Sequence, residues 1–125
     1  MYELDRRSAR RIIDSLRNSG QPPKLGALTL NVGTERFLEW LKSEYLEDHC
    51  AYIDGYDGGG CCKWIEADYG NGKTQFLRCV QDMAWNLGFA TAYVELSQDE
   101  SPLDRPDRVF AAVARAIQAS PANAG

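Results

Sequence analysis

Ala67-Asp68-Tyr69-Gly70-Asn71-Gly72-Lys73-Thr74 is the stretch whose reading decides the fold of this 125-residue chain. It follows the spacing of a phosphate-binding loop: a small residue, four free positions, then Gly-Lys-Ser/Thr. Gly70 and Gly72 accept backbone angles closed to other residues, so consecutive N–H groups can curl around an anion. Lys73 supplies a point charge for the β- and γ-phosphates of a nucleotide, and the Thr74 hydroxyl is the Mg²⁺ ligand of such a loop. Glycine-rich segments ending in Gly-Lys-Thr also arise by chance, so the flanks must decide.

Those flanks predict a strand, a loop, a helix and a second strand. Residues 61–66, Cys-Cys-Lys-Trp-Ile-Glu, read as a short strand entering the loop. From Lys73 to Leu87 the apolar residues Phe76, Leu77, Val80, Met83 or Ala84, and Leu87 recur on one helical face, and Gly88 sits at the C-terminal cap position. Residues 89–96 then read as a largely buried strand. This is the opening β-loop-α-β unit of a nucleotide-binding α/β domain, with the helix N-terminus adding partial positive charge at the phosphate.

Further out, residues 3–18 predict an amphipathic helix with Leu4, Ile12, Ile13 and Leu16 as its stripe. Arg6, Arg7, Arg10 and Arg11 lie largely elsewhere and read as a solvated face rather than as a patch for DNA or an acidic partner. Ser19-Gly20 and then Pro22-Pro23 end that helix. Residues 28–32 alternate like a strand. Thr34 is placed to cap a helix over 35–46, whose core face would be Phe37, Leu38, Leu41 and Tyr45 with Trp40 alongside. Those aromatics read as packing rather than as a cofactor box. Residues 54–60 are a glycine-rich connector with two aspartates and no following Lys-Ser/Thr. A last helix is expected from Pro106 to Gln118, with Val109, Phe110, Val113 and Ile117 as its stripe. The chain thus divides into a helix and Pro-containing connector over 1–25, a nucleotide-binding region over 26–118 and a tail over 119–125.

The composition is that of an ordinary globular domain, with 44% hydrophobic and 26% charged residues. The net charge of −4 argues against coating nucleic acid by bulk electrostatics. No apolar run approaches the roughly 20 residues of a membrane span, and the charged N-terminus lacks a signal-peptide core. His49, Cys50, Cys61 and Cys62 have poor zinc spacing, with no Cys-x-x-Cys knuckle. Reduced thiols and a cytoplasmic location are therefore expected.

The run Asp68-Tyr69-Gly70-Asn71-Gly72-Lys73-Thr74-Gln75-Phe76-Leu77 resembles the ATP-binding P-loop proteins of BREX phage-defence systems. That family typically carries Gly-Asp-Tyr-Gly-Ser-Gly-Lys-Ser followed by an aromatic and a leucine. The likeness continues in Leu-Arg-x-Ser-Gly-x-Pro-Pro at residues 16–23, Val-Gly-x-Glu at 32–35 and Val-Glu-Leu-Ser at 94–97, and so covers most of residues 10–118. Ala67 stands in place of the usual leading glycine and Asn71 in place of serine. The resemblance implies an AAA+-like ATPase in a DNA-linked defence complex, with ATP and Mg²⁺ as cofactors. Residues 67–74 would hold the nucleotide, and the Thr74 hydroxyl the metal. Its implied partners are a homo-oligomer, the other proteins of the defence complex and the remainder of a longer chain, with DNA contacted indirectly.

Hydrolysis in such enzymes needs a second acidic site at the end of a later strand and a group that positions water. After Leu96 no apolar run ends in Asp or Asp-Glu, Glu95 lies inside the expected second strand, and no arginine finger or sensor has a visible position. The fold class expected is α/β, a partial P-loop NTPase core cut after its second strand and helix, able to bind ATP but not to hydrolyse it alone. Catalytic residues stay unassigned. The competing reading is a non-enzymatic module that binds DNA or protein through the arginines of the first helix. A small-molecule phosphotransferase is a third, lacking lid and acceptor elements.

Overall fold

The computed structural model describes residues 6–20, 22–23, 25–47, 60, 62–97 and 103–120. Four α-helices, a 3-10 turn, a π-helical segment and two short strands form along them. The chain divides into two compact units, Met1–Met83 and Ala84–Gly125.

In the first unit, helix α1 (Arg6–Ser19) stops where expected. Gly20 turns left-handed at φ 62° and its N–H donates to the Leu16 carbonyl at 3.1 Å, which ends the helix without a Cβ penalty. Of the expected stripe, Ile12 is buried, whereas Ile13 and Leu16 are exposed. Arg6, Arg7, Arg10 and Arg11 are all exposed.

Residues 28–32 do not form the expected strand; a 3-10 turn, Ala27–Leu30, occupies this stretch. The cause is tertiary. Ala27 is fully buried, and its carbonyl accepts from Gln75 Nε2 at 3.0 Å and from the Cys79 thiol at 3.4 Å. The Leu28 N–H donates to Asp82 Oδ2 at 3.4 Å. Side chains of a later helix thus take the backbone groups that a neighbouring strand would otherwise satisfy. Gly26, at φ 77°, turns the chain into this position.

Helix α2 (Glu35–Leu41) runs on into a π-helical segment, Lys42–Glu47. Thr34 occupies the N-cap position but makes no side-chain cap bond. Its hydroxyl bonds the Asn31 side chain instead, while its carbonyl accepts the N–H groups of Phe37 and Leu38. The inward residue of α2 is Leu38; Phe37, expected in the core, is 64% exposed, and Trp40 is exposed too. The core joins Ala27 and Leu38 to Cys79 and Met83 of helix α3 (Lys73–Asn86), with Leu41, Phe76 and Val80 packed against it. Leu77 of the expected α3 face points out, and Cys79 takes the central place.

Residues 62–66 form no strand. Among the described residues the only ladder joins β1 to β2, and this segment is not part of it. The expected β-loop-α-β unit therefore lacks its entering strand here.

In the second unit, α3 ends in a Schellman motif. Gly88, at φ 84°, donates to Trp85 at 3.0 Å and Phe89 donates to Ala84 at 2.9 Å. The long buried strand expected over 89–96 is reduced to β1 (Thr91–Ala92), and Leu96 is exposed. β1 pairs antiparallel with β2 (Ile117–Gln118), Thr91 opposite Gln118 and Ala92 opposite Ile117. Helix α4 (Pro106–Ala116) begins on its proline as expected, but the chain turns extended at Ile117 to make that pairing. Of the expected inward stripe, Val109 is half-buried, whereas Phe110, Val113 and Ile117 are exposed. Trp85 is buried and its indole N–H donates to the Gln118 carbonyl at 3.4 Å. Arg105 forks onto the Asp107 carboxylate, both bonds 3.2 Å, and this pairing holds the carboxyl below its usual range.

The fold is mixed and helix-rich, with one small two-stranded sheet, and is compatible with the α/β class. Among the described residues no helix is long and apolar enough to cross a membrane. Residues 3–5 of the first expected helix, 54–59 of the glycine-rich connector, His49, Cys50 and Cys61 of the weighed zinc set, and 121–125 of the tail lie outside the described residues.

Candidate functional site

The loop at residues 67–72 is built by two glycines. Gly70 and Gly72 take φ of 85° and 77°, and a Cβ added at either would meet no atom within 4 Å. Backbone conformation, not packing, requires glycine at both. The Asn71 N–H donates back to the Asp68 carbonyl at 3.2 Å, closing a tight turn before Gly72. Gly72 then starts α3, its carbonyl accepting the Phe76 N–H at 2.9 Å. A helix leaves its first N–H groups without intrahelical partners, and glycine has no side chain to cap them.

Lys73 is half-buried at the first position of α3. Its ammonium crosses the loop, donating to the Ala67 carbonyl and, at 2.7 Å, to the Asp68 carbonyl. Thr74, next on the helix, is exposed, as are Ala67, Asp68, Tyr69, Gly70, Asn71 and Gly72. All eight residues are thus contiguous around one helix N-terminus, with a cation held over the loop. For an anion the donor set fits: glycines free of side chains, a helix start and an ammonium. The Thr74 hydroxyl stands exposed at the start of α3, and no group of three or more His, Cys, Asp or Glu side chains gathers among the described residues.

A cavity of about 560 Å³ opens on the same loop. Its lining includes Gly72 and Lys73 together with Phe37, Trp40 and Trp64. Trp64 is 86% exposed. The Lys63 ammonium lies 4.9 Å from the Trp40 ring centroid and 4.6 Å from that of Tyr45, a cation–π arrangement that ties the segment before the loop to α2. Sequence periodicity assigned Phe37 and Trp40 to packing and missed this cavity. The available signal was three large aromatics at 37, 40 and 64 without a matching set of apolar partners.

Behind the loop, α3 is anchored by polar bonds as well as by apolar contact. Gln75 bonds the Ala27 carbonyl and Asp82 accepts the Leu28 N–H, while Arg78 Nη1 donates to Gln81 Oε1 at 2.8 Å within the helix itself. Burial pushes the Cys79 thiol above its ordinary pKa; the Asp82 carboxylate adds to this and the Gln75 hydrogen bond partly offsets it.

A glycine-bent loop with a lysine at the start of a helix, in a mixed helix-rich chain, is a geometry that suits an anion. The family model of the BREX system ATP-binding protein BrxC/D matches residues 4–125, and the chain belongs to that family. No curated protein and no solved structure matches it.

Proposed function

We propose that the chain binds Mg-ATP through residues 67–74 and serves a BREX phage-defence complex as its nucleotide-binding component. The backbone N–H groups from Gly70 to Thr74 wrap the phosphates, Lys73 neutralises the β- and γ-phosphates, and the Thr74 hydroxyl ligates Mg²⁺. The observation that carries this reading is the pair of left-handed glycines, Gly70 and Gly72, set immediately before a 14-residue helix that opens with Lys73. Membership of a family described as ATP-binding supports the ligand. The AAA+-like core belongs to this proposal, as does a place among the other proteins of the defence complex.

Calorimetric titration with Mg-ATP tests it. The wild-type chain binds and Lys73→Ala binds at least tenfold more weakly, because a charge-assisted contact to phosphate is lost. Equal affinity in the two proteins removes Lys73 from the site, and no binding to the wild type removes the reading altogether.

A further inference from the structure

Helix α1 presents a charged face that neither the loop nor the core uses. It carries five arginines and one acid, Asp14, a local charge of +4 in a chain whose net charge is −4. At about 100° of turn per residue, Arg6, Arg10 and Arg17 fall in one row and Arg7 and Arg11 in a second, all within about 140° of arc. All five are exposed, and Arg6, Arg10, Arg11 and Arg17 form no ion pair with any described residue. The other side of the helix is docked: Ile12 is buried, its side chain lying against Gly26. In sequence these arginines read as a solvated face. The structure adds that the helix is fixed by its opposite side, which holds the charges together on one arc.

The character of that arc selects its partner. A protein interface gathers apolar and aromatic side chains at its core and few charges, whereas this arc holds only the arginines, Asp14 and Asn18. A helix bound to a bilayer inserts its apolar side, and here Ile12 on that side is already buried in the protein. A polyanion of regular charge remains. From Arg6 to Arg17 the charges span about 16 Å of helix axis, and B-form DNA carries a phosphate for roughly every 1.7 Å of its own axis. Its major groove, about 12 Å wide, admits an α-helix, while that of an RNA duplex is too narrow. Two arginine rows diverging across one helix suit the phosphates on either side of such a groove, and the planar guanidinium can bond each phosphate through two N–H groups.

We propose that the arginine face of α1 docks on duplex DNA through phosphate contacts, without reading base sequence. The acidic remainder of the chain is repelled by the same phosphates, so the duplex meets this face alone. The proposal does not depend on nucleotide binding at residues 67–74.

Equilibrium binding to a short DNA duplex of random sequence, without nucleotide, tests it on the wild type, R6Q/R10Q/R17Q, R36Q/R108Q/R115Q and Asp14→Asn. The second triple variant removes the same charge from exposed arginines of other helices. Wild-type affinity falls with salt at a log–log slope of about −0.9 per phosphate contacted; the α1 variant loses about 2.7 of that slope and the other triple variant keeps it. Asp14→Asn binds more tightly than the wild type, a gain that damage to the fold does not produce. Equal losses in the two triple variants overturn the proposal, because net charge alone then governs binding. So does a wild type without salt-dependent binding, or an Asp14→Asn variant of unchanged affinity. Tighter binding to phosphatidylserine vesicles, to polyglutamate or to an RNA duplex, lost in the same α1 variant, reassigns the face to a bilayer, an acidic protein or RNA and overturns DNA as its partner.

Discussion

The Lys73 ammonium donates to the Asp68 backbone carbonyl at 2.7 Å and to the Ala67 carbonyl beside it, so the cation that would meet phosphate also holds its own loop together. Both acceptors precede Gly70, and the donor follows Gly72, so the bonds bridge the two ends of the turn. Asp68 takes part through its backbone, accepting from Lys73 and from the Asn71 N–H.

Two consequences of Lys73→Ala follow, and they are separable. Losing the loop bonds lowers stability by about 0.5–1.5 kcal/mol without any ligand, read from a urea midpoint. Losing the phosphate contact also removes about half or more of the added stability that saturating Mg-ATP confers, which for a wild type at about 100 times its Kd is roughly 2.7 kcal/mol. An unchanged urea midpoint would show that the bonds to Ala67 and Asp68 hold nothing.

Gly72→Ala places a Cβ on a residue at φ 77°. The left-handed conformation costs an L-residue roughly 1–2 kcal/mol, while open space around the added carbon excludes a clash. Asn71→Ala, on the same exposed turn, shifts the midpoint by less than about 0.5 kcal/mol. Equal midpoints for the two variants contradict the conformational account of the glycine.

Leu38 and Phe37 are adjacent on α2 and face different surroundings, at 4% and 64% exposure. Leu38→Ala opens a cavity beside Ala27, Cys79 and Met83 and costs about 2–5 kcal/mol. Phe37→Ala costs under about 1 kcal/mol in the unliganded chain. Denaturation curves that reverse this order would restore the sequence expectation that Phe37 is part of the core.

Cys79 gives the chain a pH dependence with a definite sign. Its folded pKa is raised, chiefly by burial and then by Asp82, so the folded state keeps the thiol proton where the unfolded chain has lost it. Its stabilising contribution is complete below the unfolded thiol value, about 8.5, and declines as pH rises through that value towards the raised folded one. Stability measured from pH 7 to 10 therefore falls more steeply for the wild type than for Cys79→Ala. Parallel curves for the two proteins refute the linkage.

Much of the helical architecture was legible in the chain. The stops at Gly20 and Gly88 were readable because a left-handed glycine after an apolar-periodic run is a local signal, and both adopt it. Pro106 likewise marked the start of α4. The strands were not readable. Residues 28–32 have strand-like alternation, yet Gln75, Cys79 and Asp82 claim the backbone of Ala27 and Leu28 from 48 to 54 positions away. Residues 62–66 and 89–96 have the apolar character of strands, but pairing depends on which chain segment lies alongside, and only Thr91–Ala92 meets one.

By itself the sequence determined the phosphate-loop spacing of residues 67–74, the helix that follows and the family to which they belong, because glycine conformation, helical periodicity and residue order are local properties. The tertiary structure alone decided that Lys73 folds back onto Ala67 and Asp68. It also decided that Leu38 rather than Phe37 faces inward, and that Phe37, Trp40 and Trp64 gather on one cavity at the loop. Which face of a helix is buried, and which distant side chain reaches a carbonyl, depend on what packs against it, and no local pattern encodes that neighbour.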